Sequence, residues 1–183
     1  MKLVTSNTNK LQEFNRFGLN VQAQSGKDLP EVLGTPEEVI TYKAMAAGEN
    51  LLVEDTILII DGKEVVDIKG RLAELDRFEE IVDAQWLVSI AVIEDGILKT
   101  CQASIKGYLV KPSKPFSDAF GFDGHFHPNG ANGASLHELE LNGDKDLYSA
   151  RKDCVVNFLG KKGNYKERKV SEIPPWTGEY QKL

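Results

Sequence analysis

Two adjacent carboxylates, Glu54 and Asp55, interrupt a run of branched apolar residues, Leu51-Leu-Val-Glu-Asp-Thr-Ile-Leu-Ile-Ile-Asp61-Gly62, that otherwise reads as buried sheet. An ionised carboxylate taken out of water carries a heavy desolvation cost unless it is paired or bound to a metal. The pair therefore either sits at a strand end open to solvent or is put to use. Three more charged residues stand where charge is informative. Lys10 falls in the first turn of a helix that follows Ser6-Asn7-Thr8-Asn9, and a cation there opposes the helix dipole. Free N–H groups at that helix start, capped by Asn7 or Thr8, suit an anion; a solvated surface lysine is the plain alternative. Glu31 occupies the irregular corner Leu29-Pro30-Glu31. Lys43 lies beside the apolar stripe of a helix, where its amine either snorkels to solvent or points into a cleft.

The elements that must position these residues follow from periodicity and turn chemistry. Lys2 to Thr5 reads as a short strand, and Leu11, Phe14 and Phe17 recur at helical spacing after it. Val21 to Gln24 is a weak second strand. Thr35-Pro-Glu-Glu38 is a capping box with proline at the first helical position, opening a helix to about Gly48 or Asn50. Asp61-Gly62 and Asp95-Gly96 are hairpin signals. The first leads into a returning strand from Lys63 to Ile68; a helix from about Arg71 to Val82 comes next. Trp86–Ile93 and Ile97–Val110 read as long strands, with Gly107 a candidate bulge. The aromatic, glycine-rich stretch Phe120 to Gly130 is irregular, and its rings could stack on a base or plug the core. Ser135-Leu-His-Glu138 is a second capping box, and Asp144 is expected to cap a longer helix that puts Lys145 and Ser149 on one face, flanked by Arg151. The last stretch, Val170 to Leu183, reads as packed by Trp176 or mobile.

With 183 residues, 41% of them hydrophobic and 27% charged, the chain suits one globular domain over 1–183. The expected class is α/β with a mixed sheet. A net charge of -6 argues against a general nucleic-acid binder. No apolar run reaches membrane-spanning length, and the opening residues have no signal-peptide pattern, so no membrane partner is expected. Cys101 and Cys154 have neither zinc nor disulfide spacing, and the three histidines lack companion ligands. A reducing cytoplasm is the default location.

Thr5-Ser-Asn7-Thr-Asn-Lys10-Leu-Gln-Glu13, Leu29-Pro-Glu31, Pro36-Glu-Glu before Lys43, and Val53-Glu-Asp-Thr56 resemble motifs of the inosine triphosphate pyrophosphatase family. Phe120-Gly-Phe-Asp123, Phe126, Pro128 and Gly130, then Glu138, Lys145, Ser149 and Arg151, follow in that family's order. The resemblance spans about Lys2 to Phe158. It implies an elongated mixed sheet with flanking helices, two lobes around a central cleft, a magnesium ion and a homodimer. It also implies cleavage of non-canonical purine nucleoside triphosphates to monophosphate and pyrophosphate. Carried over by position, Glu31 and Asp55 would hold the metal, with Glu54 beside them. Thr5, Asn7, Lys10 and Lys43 would meet the triphosphate. Phe120, Phe122, Asp123, Lys145, Ser149 and Arg151 would line the base pocket. Catalysis would fall to Asp55, Glu54 and Lys10, and the residues do not separate Glu54 from Asp55 as the group orienting the attacking water.

The departures fall on base recognition. Where the family has Ser-His-Arg, this chain has Ser149-Ala150-Arg151; Asp67-Ile-Lys-Gly-Arg-Leu-Ala replaces the family's glycine-proline segment, and Val39 replaces an asparagine. Losing a hydrogen-bonding partner shifts base preference by factors of roughly tens to thousands. Two other readings stand beside the first: a nucleotide-binding module that has lost catalysis, and a Maf-type pyrophosphatase acting on another modified nucleotide.

Overall fold

Short parallel strands open the chain, and long antiparallel ones carry it through the middle. The computed structural model describes residues 1–25, 28–113, 119 and 121–182; the expectation for Phe120 lies outside them. Among the described residues, eight strands form a mixed sheet with helices around it. Two units divide the chain. One comprises 1–55, 88–103 and 151–183, the other 56–87 and 104–150.

In the first unit, β1 (Lys2–Val4) runs parallel to β2 (Gln22–Gln24) and to the start of β3 (Leu51–Ile60), with Leu3 opposite Ala23 and Leu52. Helix α1 (Thr8–Arg16) connects the first two strands, and α2 (Pro36–Ala47) precedes the third. Thr35 and Glu38 complete the expected box, each side chain bonded to the other's backbone N–H. Val39, Ile40 and Thr41 are poor helix formers, at roughly 0.5 kcal/mol each. Burial outweighs that: Ile40 and Ala44 are fully enclosed with Val53, Ala91, Ile93, Leu98 and Ile173, and a buried Val or Ile is worth about 2 kcal/mol. The Asp95-Gly96 turn has both φ values positive, 51° and 73°, as a tight hairpin requires.

The second unit holds β4 (Lys63–Val65), antiparallel to the end of β3 across Asp61-Gly62. The strand expected to reach Ile68 stops at Val65. The helix expected at Arg71–Val82 is α3 (Ile68–Phe78), starting three residues earlier, because the Asp67 carboxylate accepts from the Gly70 N–H and caps it there. Ile81 and Val82 belong instead to β5 (Ile81–Glu94). β6 (Ile97–Val110) has the expected bounds. It pairs with β7 (Phe126–Pro128) in unbroken register, Gly107 facing Pro128.

Gly107 is thus no bulge. It marks a close approach, since a Cβ there would stand 2.3 Å from the His127 carbonyl oxygen. Gly107→Ala is expected to cost about 1–3 kcal/mol through forced backbone shift. Urea denaturation checks this, and an unchanged midpoint would remove the close-approach account.

Helix α4 (Leu136–Leu141) starts at the Ser135 box as expected. The long helix expected from Asp144 is absent. Asp144 has helical backbone angles (φ -107°, ψ -1°) and makes no side-chain cap, so only a four-residue 3-10 turn, Lys145–Tyr148, follows. Extended Ser149 breaks the run before α5 (Ala150–Gly160), so Lys145 and Ser149 do not share a helix face. After α5, β8 (Lys166–Lys169) pairs with β6 in the first unit. Among the described residues no helix is long and apolar enough to cross a membrane.

Candidate functional site

The loop between β1 and α1 is shaped by its own side chains. Thr5 Oγ1 accepts from the Asn7 N–H at 3.0 Å, and Asn7 Oδ1 accepts from the N–H groups of Asn9 and Lys10 at 3.0 and 3.3 Å. Asn7 rather than Thr8 is therefore the cap. The two residues fix the turn from which Lys10 projects.

Alternation along β3 separates Glu54 from Asp55. Glu54 is buried, with Oε2 2.8 Å from Lys10 Nζ and Oε1 3.7 Å from Arg151 Nη2. Arg151 also bonds Glu13, so a chain of charges runs Glu13–Arg151–Glu54–Lys10 through the first unit. Asp55 serves another cation. Lys43 Nζ lies 3.0 Å from Glu31, 3.9 Å from Asp55 and 3.1 Å from the Glu54 carbonyl oxygen. Glu31 and Asp55 thus converge on one ammonium.

The electrostatics follow from this crowding. Burial pushes the Asp55 carboxyl up to about 6; Lys43 draws it back, while Glu54 and Glu31 add to the rise. Burial works to lower the Lys43 pKa, but Asp55 and then Glu31 outweigh it and the net shift is upward. Glu31, Lys43 and Glu54, with Thr5, Asn7 and Lys10, line a cavity of about 400 Å³. Its chemistry is an exposed helix start, two amines and an acidic cluster: a place for an anion carrying its own cation.

The remaining predicted residues lie in the second unit. Asp123 and Lys145 form a buried ion pair at 2.5 Å. Phe122 meets Trp86 and Phe126 edge-on, ring centroids 5.7 and 6.0 Å away, which makes it a core plug. Ser149 is buried. The structure brings Thr5, Asn7, Lys10, Glu31, Lys43, Glu54 and Asp55 together, and joins Arg151 to that group through Glu54. Asp123 and Lys145 make a second group. Sequence reading missed Glu13, the partner of Arg151 from 138 positions away. Cys101 and Cys154 are free and buried side by side, Cys154 Sγ donating to the Cys101 carbonyl at 3.3 Å.

A mixed α/β chain with carboxylates and amines gathered around the start of its first helix is the class that fold and site define. The chain belongs to the Ham1 family, whose model matches residues 1–161. An inosine triphosphate pyrophosphatase of Giardia intestinalis is 31% identical over 159 residues, covering 75% of this chain and 80% of that protein. The Staphylococcus aureus Ham1 protein superposes with a TM-score of 0.65 at 17% identity, covering 88% of this chain and 100% of that one. A Coxiella burnetii HAM1 protein gives 0.62 at 21% identity, over 87% and 95% of the two chains. The nucleoside-triphosphatase, or dITP/XTP pyrophosphatase, of Mycobacterium abscessus gives 0.52 at 21% identity, over 80% and 93%. These likenesses agree with the expected mixed-sheet class.

Proposed function

We propose that this chain is a magnesium-dependent nucleoside triphosphate pyrophosphatase that hydrolyses a non-canonical or modified purine nucleotide to its monophosphate and pyrophosphate. One observation carries the reading: Glu31 and Asp55 hold a single positive charge between them, the Lys43 ammonium, beside a helix start bearing Lys10. The activities named for the Giardia and mycobacterial relatives point the same way.

A magnesium ion fits the donors present. Among the described residues no three of His, Cys, Asp and Glu gather into a ready-made cage. Magnesium, however, is commonly held by one or two carboxylates and substrate phosphates. Glu31 and Asp55 are such a pair, and their shared hold on an ammonium marks where they favour a cation. When bound, the ion would neutralise charge developing on the phosphate oxygens.

The chain's own residues do the rest. The amines of Lys10 and Lys43, with the positive end of the α1 dipole, bind the triphosphate, whose charge of about -4 needs such partners. Glu54 is pinned by two cations, so it orients Lys10. Asp55, beside Glu31 and Glu54 on the wall that faces Lys43, orients the attacking water and takes its proton. That water forms a bond to the α-phosphorus as the bond from this phosphorus to the bridging oxygen breaks, and pyrophosphate leaves. Asp123 and Lys145, a matched acceptor and donor, are assigned to the base, with Ser149 nearby in sequence. A homodimer in the cytoplasm belongs to the same proposal.

The test is a panel of canonical, deaminated and modified nucleoside triphosphates with Mg²⁺, scored for pyrophosphate. Release from deaminated or modified purines above canonical ones is expected. Folded protein that binds them tightly and releases nothing would instead be a binding module.

A further inference from the structure

Residues beyond the family-matched 1–161 make an unexpected connection to the site. After the 3-10 turn Val170–Glu172, Ile173 is buried and the chain runs back along the corner that carries Glu31. Gln181 N–H donates to the Glu31 carbonyl at 2.8 Å, its side-chain Nε2 donates to the Val32 carbonyl at 3.1 Å, and Leu33 N–H donates to the Glu179 carbonyl at 2.8 Å. Val32 and Tyr180 form an antiparallel bridge. Three successive backbone positions, 31 to 33, are thereby held by one segment.

The same segment grips α2. Tyr42, next to Lys43 in sequence, donates its hydroxyl to the Pro174 carbonyl at 2.6 Å, and its ring meets the Trp176 indole at 5.1 Å. That indole donates to the Glu179 carbonyl at 3.0 Å. It is wedged tightly: a Cβ on Gly178 would lie 2.6 Å from it, and one on Gly34 3.1 Å. One strap therefore grips both the corner that carries Glu31 and the helix that carries Lys43. A corner built on Leu29-Pro30 has no regular structure of its own to do this, and ligands left on an unsupported loop lose preorganisation.

We propose that Ile173–Gln181 is a positioning strap that holds Glu31 against Lys43 and so sets the affinity of the site for a divalent cation and the triphosphate. This rests on the function proposed above, with Glu31 as a cation ligand. The strap residues touch no reacting atom; they act through the corner.

The experiment uses the full chain with Gln181→Ala and, separately, Gly178→Ala, which displaces the indole. Trp176→Phe serves as the conservative control. Two readouts are taken well below each variant's melting temperature: hydrogen exchange of the Leu33 amide, and calorimetric binding of Mg²⁺ with and without a non-hydrolysable triphosphate analogue. Loss of Leu33 protection with roughly tenfold weaker Mg²⁺ binding is expected, the scale seen when outer supports of metal ligands are removed. Turnover at saturating Mg²⁺ should stay near wild type. Leu33 deprotected with Mg²⁺ affinity unchanged would overturn the strap, and so would variants of normal protection and normal affinity. A wild type that binds Mg²⁺ and analogue but releases no pyrophosphate would sink the pyrophosphatase reading and leave the strap's effect on binding measurable. A wild type that binds no Mg²⁺ overturns both.

Discussion

Asp55→Asn is expected to cut pyrophosphate release by roughly 10²–10⁴-fold, the range for removing a general base, while making the metal-free protein more stable at neutral pH. Asn keeps the shape and loses both the charge and the proton-accepting oxygen. The stability half follows from linkage. In the folded chain the Asp55 carboxyl is raised from 3.8 to about 6, chiefly by burial. A raised value means that the folded state holds the proton more tightly than the unfolded one. The contribution is therefore complete below about pH 4 and disappears as pH rises through about 6. A shift of this size corresponds to about 2–3 kcal/mol. The side chain is only 18% exposed, so solvent screening does not remove it. In EDTA, the melting temperature of the variant should match wild type near pH 4 and exceed it at pH 7. Near-wild-type turnover would end the assignment of Asp55. A difference in melting temperature that does not grow with pH would end the account of its burial.

The same acid pair marks how far the sequence could be read. Glu54-Asp55 in an apolar run marked a charged pair that needs either solvent or a use, and the structure buries Glu54 and leaves Asp55 half-buried. Turn and cap chemistry located the starts of α2, α4 and β6 to the residue, since Thr35-Pro36, Ser135 and Asp95-Gly96 act over three or four positions. Asp67 showed the limit of that logic. Its capping role competes with the apolar Val65-Val66-Asp67-Ile68 pattern, and the cap won. Asp144 failed the other way, having the right residue type with helical backbone angles. Nothing local could pair Arg151 with Glu13, bring Cys154 to Cys101 or return Gln181 to Glu31. Those contacts depend on where α5 and the last segment run, a property of the whole packing.

Arg151 carries the second large effect. Its guanidinium side chain is 3% exposed and lies between Glu13 and Glu54, themselves 8% and 3% exposed. The Phe14 ring sits 5.8 Å from it. Burying such a group is costly to begin with, so the native network gains little net stability over an apolar one. Removing only the cation is a different matter. Arg151→Met would leave two carboxylates in a dry interior, with Lys10 answering Glu54 and the guanidinium contact to Glu13 gone. The expected loss is about 3–5 kcal/mol by urea denaturation, the cost of breaking a buried pair from one side. Arg151→Lys should recover only part of it, because one ammonium cannot offer the planar fork that spans both carboxylates. Glu13→Gln in the Arg151→Met background should recover part of the loss, because the carboxylate that faced the guanidinium no longer carries charge, a coupling that a double-mutant cycle reads directly. If Arg151→Met costs under about 1 kcal/mol, the stability limit for an exposed pair, the charges are not held as described. Glu54 would then not be fixed by Arg151, and the orientation of the Lys10 amine toward a triphosphate would need another source.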